Sequence, residues 1–124
     1  MANKIIMVLG QKKIGIELDD SDISKSIISS LPIISDANKW GSEIYFSIHV
    51  ESELEEGIEK VEIGDVAYWP PGKAFCVFFG RTPASIDEKP MAASPVTVIG
   101  KVSSGGIKEL KEIKEVGKVE IVLP

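Results

Sequence analysis

Apolar and polar residues alternate along much of the chain, and the alternation marks strands. Lys4 to Leu9 is an apolar run, and Lys13 to Leu18 places Ile14, Ile16 and Leu18 on one face. Gly10-Gln11 lies between the two runs, so they read as a β-hairpin. The period then changes. Asp19-Asp20-Ser21-Asp22 offers helix N-cap residues and places carboxylates at the positive end of a helix dipole. Ile23, Ile27 and Leu31 follow at helical spacing, and Pro32 ends a short amphipathic helix. From Glu43 to Val50 the period of two returns. Ile44, Phe46, Ile48 and Val50 face one way, and Glu43, Tyr45, Ser47 and His49 face the solvent side of a half-buried strand.

Glu51 to Glu62 carries six Glu against one Lys and reads as a solvated loop with a short strand near Val61. Asp65–Trp69 and Phe75–Phe79 are two further strands, separated by Pro70-Pro71-Gly72-Lys73. Thr82 to Pro95 holds three prolines and few branched residues, so it is expected to be a long loop. Thr97–Val102 is strand. Ile107, Leu110 and Ile113 mark a second amphipathic helix, and Lys118–Leu123 closes the chain as a strand. Two short helices cannot cover both faces of an open parallel sheet. The expected architecture is therefore mainly β: a single domain over residues 1–124, built as a closed antiparallel barrel capped by two short helices. The 29 Ile and Val residues, stiff at χ1 and suited to pleated surfaces, agree with this.

Composition then narrows the chemistry. The 124 residues include one histidine (His49), one cysteine (Cys76) and one arginine (Arg81). One His and one Cys cannot build a structural zinc site or a disulfide within the chain, and no cofactor is expected. The net charge of −5 argues against a nucleic-acid partner, which would need clustered basic residues. No apolar run approaches the ~20 residues that span a bilayer, and the N-terminus lacks a signal-peptide pattern. A cytoplasmic protein without a membrane partner is the expectation. The sequence sets no oligomeric state.

Several blocks of residues resemble a known family. The opening hairpin, the Asp-rich helix start and the series Phe78-Phe79, Val98-Ile99-Gly100-Lys101-Val102 and Ile107-Lys108-Glu109-Leu110 resemble cyclophilins, the peptidyl-prolyl isomerase fold. Trp40-Gly41-Ser42-Glu43-Ile44-Tyr45-Phe46 and Gly64-Asp65-Val66-Ala67-Tyr68-Trp69-Pro70-Pro71-Gly72-Lys73-Ala74 are similar to a small prokaryotic cyclophilin-like family of uncharacterised function. The second resemblance covers nearly the whole chain. It implies a cyclophilin-like barrel of eight strands with two helices at its ends. Activity does not follow from it, because function resides in the site and not the fold.

Prolyl isomerisation must lower a barrier of roughly 18–20 kcal/mol by favouring the twisted amide. It needs an apolar pocket for the ring and a donor aimed at the amide. The resemblance places the family's pocket phenylalanine on Phe79, its arginine on Ser47, its histidine near Val96 and its loop tryptophan near Met91. The apolar half of the site is thus retained and the polar half lost. Arg81 and His49 are the candidate replacement donors, each weighed against an ordinary surface role. Cys76, between Phe75 and Val77, reads as a buried, inert thiol. Tyr68, Trp69 and Phe79 cluster around the Pro-Pro-Gly connection. Trp69 and Phe79 read equally well as core residues or as aromatics that stack on a proline ring.

The leading expectation is binding of a proline-containing peptide or small ligand without efficient isomerase activity, in an apolar groove of Tyr45, Ser47, Trp69, Phe79 and Met91. The first alternative is an isomerase whose donor is Arg81 or His49. The second is an interaction or oligomer subunit with an exposed aromatic patch.

Overall fold

The computed structural model describes residues 3–53 and 56–124. Leu54 and Glu55, within the Glu-rich stretch expected as loop, lie outside the described residues. The chain opens with a hairpin of β1 (Asn3–Leu9) and β2 (Lys12–Leu18), with Gly10-Gln11 as its two-residue turn. Helix α1 (Asp22–Ser29) follows. Its N-cap is Ser21, whose hydroxyl accepts from the Ser24 N–H at 3.2 Å, satisfying one of the helix's unpaired donors. Asp19 anchors this entry: its carboxylate accepts from Ser24 Oγ at 2.7 Å, while its own N–H donates to the Ile99 carbonyl at 2.7 Å.

Two short strands come next, β3 (Ile33–Asp36) and β4 (Asn38–Trp40), where no regular pattern is visible in the sequence. Strands β5 (Glu43–Ser47), β6 (Ile58–Lys60), β7 (Asp65–Trp69) and β8 (Ala74–Phe78) lead to β9 (Met91–Val102). Helix α2 (Gly106–Lys111) and β10 (Lys118–Val122) complete the chain. A one-turn 3-10 helix at Pro70–Gly72 makes the Pro-Pro-Gly connection.

All strand pairs are antiparallel, and the path through the sheet is β3-β10-β1-β2-β9-β7-β8-β5-β4, with β6 attached to β9. The ladder thus has ten strands and is not closed by hydrogen bonds, in contrast to the expected closed ring of eight. Its two ends are the consecutive segments β3 and β4, joined covalently at Ala37. One face of the strands, along the path from β3 to β5, sends side chains into a single inner core. Ile5, Met7, Ile14, Ile16, Ile44, Phe46, Phe75, Val77 and Ile121 meet there, with Ile23 and Ile27 from α1 and Leu110 from α2. Phe46 and Phe75 stack with ring centroids 5.3 Å apart. A sheet whose one face converges in this way is curled around its core.

The second half of the sheet is apolar on its outer face as well. Ala67, Ala74, Cys76 and Phe78 pack there with Val61, Ala92 and Val96. The cover is the ladder between β6 and the first half of β9, in which Ile58 pairs with Val96 and Lys60 with Met91. Part of the stretch expected as a proline-rich loop is therefore strand. Pro90 precedes it, and Pro95 falls between the Met91 and Val96 pairs with β6. There the register shifts by a bulge, a place where a missing N–H is tolerated.

The Trp40-Gly41-Ser42-Glu43 stretch is the turn between β4 and β5, and it docks on the segment after β8. Ser42 N–H donates to the Arg81 carbonyl at 2.8 Å, and Phe79 N–H donates to the Ser42 carbonyl at 2.9 Å. Gly41 has φ +61°, and a Cβ there would stand 2.8 Å from Pro83 Cδ and 2.9 Å from Thr82 Cα. Gly41→Ala is therefore expected to cost about 2 kcal/mol or more, from left-handed backbone strain plus the steric clash. Urea denaturation measures this, and an unchanged midpoint would contradict the packing described.

Candidate functional site

The outer face of β5, β8 and β7 carries a pocket. Strand register builds it. Tyr45 pairs with Cys76, and Cys76 with Ala67, so these three stand in one row across the sheet. Glu43 lies two residues before Tyr45 on the same face, and Trp40 pairs with Glu43 across the Gly41 turn. Trp69 ends β7, and the first half of β9 supplies Ala92, Ala93 and Val96 as the far wall. The space enclosed is about 40 Å³, bordered by Trp40, Tyr45 and Trp69 with Glu43 and Cys76 among the lining side chains. A larger depression of about 670 Å³ lies between the β1–β2 turn and residues 113–120, and it gathers none of the expected site residues.

Two contacts fix the Trp69 ring. Its indole N–H donates to Ser94 Oγ at 2.6 Å, and Gly72 lies against its six-membered ring. A Cβ at residue 72 would come within 2.8 Å of that ring, so the Pro-Pro-Gly turn also makes room for the indole. An aromatic held on two sides is a preorganised wall, which lowers the entropy cost of binding.

Glu43 is the polar group of the pocket, and it is 6% exposed. Burial pushes its carboxyl up to about 7 from an ordinary 4.5, and a hydrogen bond with the Cys76 thiol opposes this only in part. Burial, then the adjacent Glu43 carboxylate, pushes the Cys76 thiol well above its usual range. Such a thiol is a protonated S–H donor and not a nucleophile. Among the ion pairs of the described residues, none includes Glu43. Among the described residues no group of three or more His, Cys, Asp or Glu side chains is placed to hold a metal ion.

The Cyclophilin-like family model matches residues 3–122. The chain belongs to the cyclophilin-like family. The hypothetical protein AF2241 from Archaeoglobus fulgidus, known as a solution structure, is 39% identical. That match covers 98% of this chain and 94% of the archaeal one, with a TM-score of 0.80. No curated protein matches the chain.

Within this cyclophilin-like protein the expected site residues divide. Tyr45 and Trp69 meet in the pocket. Phe79 does not: the inward alternation of Phe75 and Val77 continues through it, and it is 2% exposed in the inner core, on the opposite face of the sheet. Ser47 ends β5 opposite Ala74, and Met91 opens β9 opposite Lys60; neither lines the pocket. Arg81 is exposed, with Nη1 3.9 Å from Glu88 Oε1. His49 is exposed at φ 58°, where β5 has already ended, so the expected strand through Val50 stops at Ser47. Neither Arg81 nor His49 lines the pocket. Trp40, Glu43 and Cys76 also line the pocket and were not among the expected site residues, although Trp40 and Glu43 belong to the motif at 40–46. Their signal was the shared outward face of Glu43 and Tyr45, together with a Cys76 strand apolar on both faces. The face expected to meet solvent is covered by the β6–β9 ladder, and this buries Glu43.

No helix among the described residues is long and apolar enough to cross a membrane.

Two measurements check the electrostatics. A carboxyl whose pKa is raised on folding favours the folded state in its neutral form. That share of stability is complete below the unfolded value near 4.5 and is lost as pH rises through about 7. The shift corresponds to ~3 kcal/mol, so wild type is expected to lose about that much relative to Glu43→Gln between roughly pH 4.5 and 8.5 in urea denaturation. A pH-independent difference would contradict the burial of Glu43. Cys76 is expected to resist iodoacetamide at about pH 8 in the folded protein and to react once guanidinium unfolds it; fast labelling of the native protein would show an accessible thiolate instead.

Proposed function

We propose that this cyclophilin-like protein binds a small ligand, or one side chain of a peptide, in the outer-face pocket, without efficient prolyl isomerisation. The observation that carries this reading is the convergence of Trp40, Tyr45 and Trp69 on a preformed pocket that neither Arg81 nor His49 lines. Aromatic and apolar walls with one placed polar group are the usual make-up of a ligand site. Isomerisation asks for more: a donor aimed at the amide as its charge localises. Ser47, at the position where the family resemblance expects arginine, cannot provide a cation. With about 40 Å³ the pocket takes a head group and not a whole drug-sized molecule.

The same reading treats the curled sheet as a variant of the family barrel. The covalent passage through Ala37, between β3 and β4, takes the place of a closing ladder.

Titration of the labelled protein with proline-containing peptides and small apolar compounds, followed by NMR and tryptophan fluorescence, tests the proposal. Shifts are expected at Trp40, Tyr45, Trp69 and Val96, and Tyr45→Ala is expected to weaken binding about ten-fold, equivalent to roughly 1.4 kcal/mol. An exchange assay on an X–Pro peptide is expected to run no faster than buffer. Catalysis that disappears in Arg81→Ala would establish the isomerase reading in its place.

A further inference from the structure

The pocket holds one ionisable acid without a counter-ion. Glu43, 6% exposed, receives a hydrogen bond from the Cys76 thiol of β8, and a thiol is a weak donor. The other groups that face it bring no positive charge. From β4 comes Trp40, while the adjacent Lys39 turns away and donates to the Ile113 carbonyl at 3.3 Å. From β5 comes Tyr45, from β7 Trp69, and from β9 Ala92, Ala93 and Val96. The titratable groups of the pocket are thus Glu43, Tyr45 and Cys76, none of which is ever cationic.

Taking a carboxylate out of water is costly unless an opposite charge comes with it. The three aromatic side chains at the rim add to the preference, since indole and phenol rings attract cations and the attraction grows as water is excluded. A carboxylate with three aromatic neighbours is complementary to an organic cation and repels an anion. The space available admits a compact head group.

We propose that the outer-face pocket is a site for an alkylammonium head group, paired with the Glu43 carboxylate and bordered by Trp40, Tyr45 and Trp69. This rests on the ligand-binding reading above and names the ligand class. The shared chemistry fits a free amine and a lysine side chain of a peptide alike. Cation binding draws Glu43 into its ionised form, so affinity rises with pH through neutrality. Cys76 remains protonated throughout that range, and its S–H continues to face the carboxylate.

The experiment is a tryptophan-fluorescence and NMR titration of the full chain with choline and n-butylammonium. Their uncharged counterparts, 3,3-dimethylbutan-1-ol and n-butanol, serve as controls. At about pH 8 at least one cation is expected to bind ten-fold or more tighter than its counterpart, and to lose about that factor at roughly pH 5.5, where Glu43 is neutral. Glu43→Gln is expected to abolish the preference for the cation. Should that variant fold poorly, the wild-type pH series carries the same test. A lysine-containing tripeptide compared with n-butylammonium ranks the two ligand sources, and either order supports the site. Uncharged compounds that bind as well as the cations would overturn the ammonium assignment and leave the ligand-binding reading standing. Affinity that increases towards low pH would overturn it too, by showing the neutral carboxyl as the recognising form. Binding of none of the four compounds would overturn the ammonium assignment, while the ligand-binding reading stands or falls on the peptide titration above.

Discussion

Strands β7 and β8 carry apolar side chains on both faces, and this double-sided burial is the constraint around which the molecule is arranged. Ile44, Phe46, Val66, Tyr68, Phe75 and Val77 fill the inner core, while Ala67, Ala74, Cys76 and Phe78 on the reverse face also need cover. Burying a second face removes more apolar area from water, at roughly 25 cal/mol per Å². It also requires an element to lie across that face. The first half of β9, with β6 beside it, is that element. The pocket exists because this cover meets the sheet along Ala92, Ala93 and Val96 without filling the space among the larger side chains of Trp40, Tyr45 and Trp69.

The cover also explains the chemistry of Glu43. On a strand open to solvent its carboxyl would titrate in the ordinary range. Beneath the β9 cover, with a thiol for a partner, its charged form is disfavoured and its pKa rises to about 7. The carboxyl is therefore poised between its neutral and ionised forms near neutral pH. Other carboxylates of the chain behave oppositely: Lys73 lowers the pKa of Glu51, Lys89 that of Glu62 and Lys60 that of Asp87 at exposed ion pairs. Burial thus sets the pocket acid apart from these exposed, lysine-paired carboxylates.

The family relationship sets the frame and leaves the activity to the site. The cyclophilin-like fold is recognisable over residues 3–122, yet Ser47 stands where an arginine is expected, and Phe79 is turned into the inner core. A shared scaffold fixes where a pocket can form on the sheet; the side chains at a few register positions decide what it can bind or convert. Here those positions offer aromatic rings and an acid.

Local pattern determined much of this protein. The β1–β2 hairpin, the Ser21-capped helix, β7 and β8 on either side of Pro-Pro-Gly, and the strand from Thr97 were legible because each is written in the spacing of neighbouring residues. Tyr45 and Trp69, which line the outer-face pocket, lie within the motifs that resemble the family. Tertiary structure decided the rest. β3 and β4 are too short and irregular to carry a period, and they are strands because β10 and β5 offer them hydrogen-bonding edges. The Met91–Val96 half of β9, with Pro90 before it and Pro95 within it, is strand because β6 and the outer apolar face receive it. Whether the face of Glu43 and Tyr45 meets water depends on that distant segment, and alternation within β5 is the same in both cases. Periodicity distinguishes the two faces of a strand; only the assembled chain determines what covers each.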